Sequence, residues 1–447
     1  MAVVEEWRAD LDRWLVPFLA GLAHPSRRAM CPLYVAGLIG PGERKSMQPM
    51  AERLGLPNHD ALHHFIAAGA WDAAALEAAL LAEADRLVGG PDAWLVVDDT
   101  ALPKKGTFSA GVTPQYASAL GKNANCQTLV SLTLAAGEVP VPVALRLFLP
   151  ETWTRDPVRL DRARVPDDWR TPRTKPELAL AEIDRALAAS VRFRAVLADA
   201  GYGLSAPFRQ GLSARGLAWA VGIPRTQKVY PAGVGLIFPV TGRGRPRKRY
   251  IPDILSAPAE AVLAVAPWRR ISWRRGTKGK LRARFAAVRV RVADGPPQRI
   301  RDGGAQHMPG EGAWLVGEHR PSGERKYYLS NLPADTDLKT LAAAIKARWV
   351  CEQAHQQLKE ELGLDHFEGR SWTGLHRHAL MAMIAYAFLQ HRRLDAARRG
   401  KKPLRRPAPA AEPARRQARH HRPPAAHAHA CRARAMSALP RMAHAAP

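Results

Sequence analysis

The sequence predicts an α/β fold in which a mixed sheet is preceded by helices and interrupted by a β-rich insertion. Three observations support this prediction. Apolar residues recur at helical spacing over residues 1–88, strand-like and helix-like runs alternate over 89–224, and helical periodicity is absent over 225–333. With 447 residues and an apolar share of 47%, the chain suits two or three domains with a sizeable core.

Residues 1–88 predict a helical N-terminal domain that binds DNA. Trp7 and Leu11 lie on one face of the first helix, and further helical runs follow. Basic residues occupy the loops, at 27–28 and in Gly42-Glu-Arg-Lys45. Small helical bundles with other functions share this pattern, so the DNA-binding prediction rests on the charge of the loops.

Residues 89–224 predict three strands followed by a helix, a strand, a helix and a last strand. The predicted strands span 93–99, 128–134, 142–149, 193–199 and 217–223, and the predicted helices span 176–189 and 207–214. The order β-β-β-α-β-α-β is that of an RNase H-like core, which is a mixed five-stranded sheet with flanking helices.

Residues 225–333 predict a β-rich, basic insertion into this core. Strand-like runs occur at 288–292, 314–316 and 327–332. The chain then returns to helices over 334–394, which we expect to pack against the sheet and complete the core.

Residues 395–447 predict a disordered basic tail, because Ala, Pro, Arg and His without periodicity cannot bury enough apolar area to order a segment. Over 391–447 there are 15 basic residues against two acidic ones, Asp395 and Glu412, which is about half of the total net charge. This composition is also typical of GC-rich DNA translated in a shifted frame. A native disordered tail and a frameshift both stay open as explanations.

The charge of the whole chain favours a polyanionic partner. Lysine and arginine number 67 against 40 acidic residues, a net charge of +27, and neutralising phosphates drives nucleic-acid binding. A basic, GC-biased proteome is the alternative explanation. Four scattered cysteines exclude a zinc site and a disulfide framework, and the sequence has neither a signal peptide nor a run of ~20 apolar residues. We therefore expect a soluble, cytoplasmic, nucleoid-associated protein.

Acidic residues stand at the ends of the first and fourth core strands and on a later helix: Asp98 with Asp99, Asp199, and Glu352. Because these two strands are adjacent in an RNase H-like core, their acids are expected within a few ångströms of each other. Three carboxylates form a hard oxygen site that suits Mg²⁺ rather than zinc. Two such ions about 4 Å apart activate a nucleophile and stabilise the leaving oxygen of a phosphodiester. Taken singly, each acid is equally a turn, cap or surface residue.

The third acid lies on a helix whose start is predicted at Asp335 or Thr336. On this helix Arg348, Glu352, His355 and Lys359 share one stripe. The stripe is either a solvated surface with ordinary ion pairs or a carboxylate flanked by cations for phosphate.

The spacing Arg348-x3-Glu352-x6-Lys359 resembles the DDE transposases of bacterial insertion sequences, in the branch with a Tyr-x2-Arg-x3-Glu-x6-Lys motif. Ile345 stands at the tyrosine position. Other segments resemble one subgroup: Asp98-Asp-Thr-Ala-Leu-Pro-Lys-Lys-Gly106, Gly111-Val-Thr-Pro-Gln-Tyr116, Gly121-Lys-Asn-Ala-Asn-Cys-Gln127, Leu197-Ala-Asp-Ala-Gly-Tyr-Gly203 and Glu361-Leu-Gly-Leu-Asp-His-Phe-Glu-Gly-Arg370. The likeness covers roughly residues 20–392.

The resemblance implies DNA cleavage and joining of 3′ ends to target DNA, on Mg²⁺ with Mn²⁺ as a substitute. It assigns the metal and the catalysis to Asp98, Asp199 and Glu352, with Asp99 as the alternative first acid. The implied partners are double-stranded DNA and a second copy of the chain in the synaptic complex. The predicted DNA-binding residues of the core are basic side chains near these acids: Arg348, His355, Lys359, Lys104, Lys105 and Lys122.

The insertion adds four predicted DNA contacts. Arg243 and Arg245 lie in a segment that resembles an AT-hook, for which a plain basic loop is the alternative. Trp268 and Trp273 stand among arginines and suit stacking on an unpaired base, for which packing in the strand core is the alternative.

Two other functions compete with an active transposase. A catalytically inactive relic would bind DNA only, although all the acids are present. A different RNase H-like nuclease would cleave without joining, although such proteins lack the helical N-terminal domain and the insertion.

Overall fold

A computed structural model describes residues 2–117, 120–238, 249–276, 279–299 and 305–400. The predicted basic loop with Arg243 and Arg245 and nearly all of the predicted tail lie outside the described residues.

The helices fall into an N-terminal group, a group between the core strands, a short helix in the insertion, and a C-terminal group. They are α1 (Ala2–Ala20), α2 (Pro25–Ile39), α3 (Met47–Arg53), α4 (Asp60–His63), α5 (Ala74–Val88), α6 (Glu151–Thr154), α7 (Pro157–Arg162), α8 (Lys175–Ala188), α9 (Ala200–Gly203), α10 (Ala206–Ala214), α11 (Ala259–Ala264), α12 (Leu338–Ala347), α13 (Trp349–Glu360) and α14 (Trp372–Arg398). A π-helical turn covers His64–Ala68, and 3-10 turns cover Asp167–Trp169 and Leu364–His366.

The strands divide between the core and the insertion. They are β1 (Ala93–Pro103), β2 (Thr113–Ala117), β3 (Lys122–Ala136), β4 (Val139–Leu147), β5 (Ala195–Ala198), β6 (Trp219–Ile223), β7 (Lys228–Pro231), β8 (Leu236–Ile237), β9 (Ile251–Pro252), β10 (Ala257–Pro258), β11 (Arg269–Gly276), β12 (Gly279–Arg299), β13 (Ala305–His319) and β14 (Arg325–Ser330).

Five strands form the predicted RNase H-like sheet, in the spatial order β4-β3-β1-β5-β6. Strand β1 runs antiparallel to β3 and parallel to β5, and β5 runs parallel to β6. Strand β1 is buried along most of its length, as expected for a central strand with both faces covered. The predicted α/β fold class is confirmed, and the two acid-bearing strands are neighbours.

The insertion continues the same sheet rather than forming a separate one. Strand β14 pairs antiparallel with β6, and the ladder continues through β13, β12 and β7 to β10. Strand β11 pairs with β12, while β8 and β9 form a small sheet of their own. The core sheet and the insertion are therefore joined by backbone hydrogen bonds.

The N-terminal helices pack on the last helix, α14, and share one apolar cluster with the core sheet. Polar contacts reinforce this packing. The hydroxyl of Tyr34 lies 2.8 Å from Nδ1 of His378, and Nη1 of Arg377 donates to the carbonyl oxygen of Gly69 at 2.6 Å. The domain boundary at residue 88 stays a prediction, since the two parts share a core.

The helix that carries the third acid is broken at Arg348, between α12 and α13. Its start also differs from the prediction, because Asp337 rather than Asp335 or Thr336 is the cap. The side chain of Asp337 accepts from the backbone nitrogens of Lys339 and Thr340. Among the described residues, no helix has both the length and the apolar character that a membrane span requires.

Candidate active site

Asp98 lies on β1, and Asp199 directly follows the neighbouring parallel strand β5. The last register pair of β1 and β5 immediately precedes both residues, and neighbouring strands are about 4.8 Å apart. Because side chains alternate along a strand, Asp98 lies on the same face as Val96 and Asp199 on the same face as Leu197. Both apolar residues belong to one buried cluster, which also includes residues of α12 and α13. The two carboxylates therefore face the helices that bring in Glu352.

The side chain of Arg348 connects Glu352 with Asp98. The guanidinium of Arg348 donates from Nη1 to Oδ2 of Asp98 at 2.5 Å and from Nη2 to Oε1 of Glu352 at 2.8 Å. The Glu352 side chain is half exposed, whereas that of Asp98 is largely buried. Two of the three predicted acids thus share one cation, and Glu352 stands at the solvent side of the site.

Asp99 points to the opposite face of strand β1. Its Oδ2 accepts from Nζ of Lys175 at 2.6 Å, and its Oδ1 accepts from the hydroxyl of Tyr202. Alternation along the strand puts it with Val97, in the other apolar cluster. Asp199 nevertheless lines one cavity together with Asp99 and Tyr202, so the choice of Asp98 as the first acid stays a prediction.

The environment of Asp199 disfavours its charge. Burial raises the pKa of this carboxyl group, and the neighbouring Asp98 raises it further, while Arg348 opposes both effects. Its Oδ1 also accepts from the backbone nitrogens of Gly201 and Tyr202, which orients the carboxylate at the start of α9. Two crowded, partly buried carboxylates are a pair that a bound cation stabilises.

The side chain of Arg348 already places a positive charge between Asp98 and Glu352. The guanidinium of Arg348 stands in for the positive charge that Asp98 and Glu352 would share with a metal ion. Among the described residues, no three His, Cys, Asp or Glu side chains converge closely enough to hold a metal. The donor set of carboxylate oxygens nevertheless fits Mg²⁺ in its chemistry.

The prediction that His355 contacts DNA is corrected by its burial. The His355 ring is almost fully buried between α13 and the sheet, and its Nε2 lies 2.8 Å from Oγ of Ser131. Burial lowers the pKa of His355 to about 4, so the ring is neutral at pH 7. A buried neutral ring does not reach phosphates.

The four predicted lysines differ in their availability for DNA. The ammonium group of Lys104 donates to the carbonyl oxygen of Phe367 at 2.7 Å and lies 3.5 Å from that of Asp365, so it holds this turn. Burial lowers the pKa of Lys359, which is only partly exposed on α13. Lys105 and Lys122 are exposed, but they lie towards the far end of the β1 and β3 pair, because Asp98 pairs with Ser131, nine residues along β3 from Lys122. Contact of these two lysines with DNA stays a prediction.

The predicted base-stacking residues of the insertion are packed side chains. The indole of Trp268 donates to the carbonyl oxygen of Leu263 at 3.1 Å and lies against Gly317, where an added Cβ would come within 2.6 Å of the ring. Trp273 packs edge-on against Phe285, with the rings 5.7 Å apart. Both side chains are only partly buried, so their stacking on a base stays a prediction beside this packing.

Three polar residues at the site escaped the sequence prediction. Cys351 donates from its thiol to Oδ2 of Asp98 at 3.1 Å, and Lys175 and Tyr202 hold Asp99. The spacing of Cys351 three residues after Arg348 places both on one helix face, and this signal was present in the sequence. Nothing in the sequence pairs Lys175 with Asp99, because that contact depends on how α8 crosses the sheet.

Comparison with known proteins reveals several similar ones. The family model described as DDE superfamily endonuclease matches residues 17–280, and the one described as Transposase DDE domain matches residues 173–388. A probable transposase for insertion sequence element IS701 from Microchaete diplosiphon is 30% identical over 169 residues, which are 38% of this chain and 41% of that protein. The match thus spans less than half of that relative's length.

A solved structure is also similar over most of the chain. The piggyBac transposase synaptic complex with hairpin DNA, determined by cryo-EM, matches with a TM-score of 0.40 and 10% identity, covering 90% of this chain and 75% of that one. The assignment of the chain to a family rests on the family models, because the first of them spans more than half of the sequence and includes both Asp98 and Asp199. The chain therefore belongs to the DDE superfamily endonuclease family.

Proposed function

We propose that this protein is a DNA transposase that binds the ends of its insertion sequence, cleaves phosphodiester bonds there and joins the 3′ ends to target DNA. The observation that supports it most is that Asp98 and Glu352 share the Arg348 cation, while Asp199 follows the strand next to Asp98 in an RNase H-like sheet. Family membership and a net charge of +27 point in the same direction.

The three acids are the proposed metal ligands. DDE transposases generally use divalent metal ions, and the oxygen donors here suit Mg²⁺, with Mn²⁺ as a substitute. When bound, such ions activate the attacking oxygen and stabilise the leaving one. Asp98 lies on β1 and Asp199 directly follows β5, whereas Glu352 comes from a helix, so the position of α13 decides whether the third ligand is in place.

The cations near the acids are the proposed phosphate contacts. Arg348 lies between Asp98 and Glu352, and once it leaves Asp98 its guanidinium can bind a phosphate next to the acids. The exposed Lys105 and Lys122 are further proposed contacts, and Lys359 lies two turns beyond Glu352 on α13. The proposed partner is double-stranded DNA, bound by two copies of the chain in a synaptic complex.

The test is a cleavage and strand-transfer assay with labelled element ends, comparing the wild type with Glu352→Gln. We expect the variant to bind the ends normally and to cleave at least 100-fold more slowly (~3 kcal/mol). Glu360→Gln is the matched control, because Glu360 is an exposed acid two turns further along the same helix. It should cleave like the wild type.

Other outcomes separate the competing functions. Cleavage retained in Glu352→Gln would contradict the site assignment. Hydrolysis by the wild type without joining would favour a nuclease. End binding without cleavage in either Mg²⁺ or Mn²⁺ would favour an inactive, DNA-binding relic.

A further inference from the structure

A chain of two hydrogen bonds connects the helix that carries Glu352 with the strand that carries Asp98. Nε2 of His355 lies 2.8 Å from Oγ of Ser131, and Oγ of Ser131 donates to the carbonyl oxygen of Asp98 at 3.0 Å. Ser131 lies on β3, directly opposite Asp98 in the antiparallel register. All three residues are buried, so water does not compete for these bonds.

The direction of these hydrogen bonds follows from their chemistry. A serine hydroxyl has one proton, and Ser131 gives it to Asp98, so its oxygen must accept from His355. The neutral ring therefore carries its proton on Nε2. His355 acts as a fixed donor, and a side chain with an N–H at the same place can replace it.

Three side chains at the start of α13 contact Asp98, either directly or through Ser131, and they are spaced at i, i+3 and i+7. Arg348 and Cys351 contact Oδ2 of Asp98, and His355 reaches the main chain of the same residue through Ser131. Of these contacts, only that of His355 is independent of the Asp98 carboxylate. It therefore persists when that carboxylate turns from Arg348 to another cation.

We propose that His355 is a positioning residue, which fixes the separation of Glu352 from Asp98 by donating to Ser131. This inference rests on the proposed function, because it assumes that the two carboxylates share a metal. A group that orients metal ligands without touching the metal typically changes metal affinity by about 10- to 100-fold when removed.

The test measures Mn²⁺ affinity by electron paramagnetic resonance on the full chain bound to element-end DNA. His355→Leu removes the donor, and His355→Gln restores an N–H near the position of Nε2. We expect His355→Leu to bind Mn²⁺ about 10-fold more weakly, with unchanged DNA affinity. We expect His355→Gln to stay within about 3-fold of the wild type, because it restores the hydrogen bond. Cleavage by His355→Leu should need more Mn²⁺ for half-saturation and should approach the wild-type rate at saturation.

Ser131→Ala breaks the same chain of bonds from the other end and removes only a hydroxyl. If His355→Leu does not fold, Ser131→Ala decides the question, with the same expected loss. In the double variant the two losses should not add, because each substitution alone already breaks the chain of bonds.

His376 supplies the matched control. It is also a neutral histidine that links a helix to the sheet, although it is only partly buried, and its Nε2 accepts from the backbone nitrogen of Leu147, on a strand without an acid. His376→Leu should lower the thermal stability and leave the Mn²⁺ affinity unchanged. An equal loss of Mn²⁺ affinity in this control would mean general destabilisation and would overturn the inference.

The remaining outcomes are also decisive. Wild-type Mn²⁺ affinity in His355→Leu, or no recovery in His355→Gln, would overturn the positioning role while the proposed function stands. A wild-type chain that neither binds Mn²⁺ nor cleaves DNA would overturn the proposed function, and this inference with it.

Discussion

Arg348 and Asp98 are 250 positions apart in the sequence and are joined by a hydrogen bond of 2.5 Å between Nη1 and Oδ2. Burial alone would lower the pKa of the Arg348 guanidinium, but Asp98, Cys351 and Glu352 outweigh it and raise that pKa. The side chain is therefore a permanent cation inside the acidic site, and it competes with any metal for the same oxygens.

Arg348→Gln should bind Mn²⁺ more tightly than the wild type and cleave DNA more slowly. A hydrogen bond between charged groups contributes roughly 1.5–3 kcal/mol, so removing this competitor should raise the Mn²⁺ affinity by about tenfold. Isothermal titration of the DNA-free protein with Mn²⁺ measures this change. Arg86→Gln, in an exposed pair on α5, is the control and should leave the affinity unchanged. Weaker Mn²⁺ binding in Arg348→Gln would contradict the competition.

Asp98→Asn and Asp99→Asn should behave differently although the residues are adjacent. Asp98→Asn removes a proposed metal ligand, and we expect loss of Mn²⁺ binding and cleavage. Asp99→Asn leaves the ligand face intact and weakens the contact with Lys175, a partly exposed pair, at a cost of about 1 kcal/mol in stability. Mn²⁺ titration and urea unfolding of both variants check this prediction. The reverse order of effects would make Asp99 the first acid.

Glu182→Gln should strongly destabilise the protein. The Glu182 carboxylate is buried on α8 and accepts from Nε of Arg146 at 2.7 Å and from Nη2 of Arg185 at 2.7 Å, while Glu77 of α5 completes the network. Removing one member leaves buried cations uncompensated, which costs about 3 kcal/mol.

Urea unfolding of Glu182→Gln beside Glu151→Gln checks the size of this effect. Glu151 pairs with Arg155 at the surface, where both side chains are mostly exposed. The control should change the free energy of unfolding by less than about 0.5 kcal/mol. Similar effects of the two variants would contradict the role of burial.

The stability should fall as the pH drops from about 6.5 to 4. Burial lowers the pKa of His376 to about 3 and that of His378 to about 4. In this window the unfolded chain binds protons that the folded chain rejects, so the contribution of both groups is complete above pH 6.5 and is lost on acidification. Two such groups give a slope of about 2.7 kcal/mol per pH unit near pH 5.5.

Urea unfolding at several pH values, for the wild type and for His376→Gln with His378→Gln, measures this slope. The amides do not titrate, so the double variant should show a slope smaller by about that amount. An unchanged slope would assign the pH dependence to other groups.

The sequence was sufficient for the strand order of the core, because β1 and β5 are apolar runs that end in acids and the helices between them are strongly periodic. It was not sufficient for strand β2, whose residues 113–117 contain a proline and are largely exposed, as edge strands permit. Nor did it show that the insertion extends the core sheet, because strand pairing between distant segments leaves no local signal.

At the site, the sequence predicted which residue types meet but not which face each one takes. Asp98 and Asp99 are adjacent on β1, so their side chains point to opposite faces of the sheet. The register of the strand shows which face each one takes. The stripe with Arg348 and His355 appeared uniform, yet the packing of α13 buries His355 and leaves Glu352 half exposed. The break at Arg348 could not be predicted either, since helical periodicity continues across it.

The ladder between β6 and β14 has a consequence for any shortened form of the protein. Four residue pairs join these strands, from Tyr327 with Ile223 to Ser330 with Ala220. Excision of residues 225–333 would leave β6 as an open edge with unsatisfied backbone groups in an otherwise apolar strand. We expect such a truncated chain to aggregate. In the intact chain the insertion covers the edge of the core sheet.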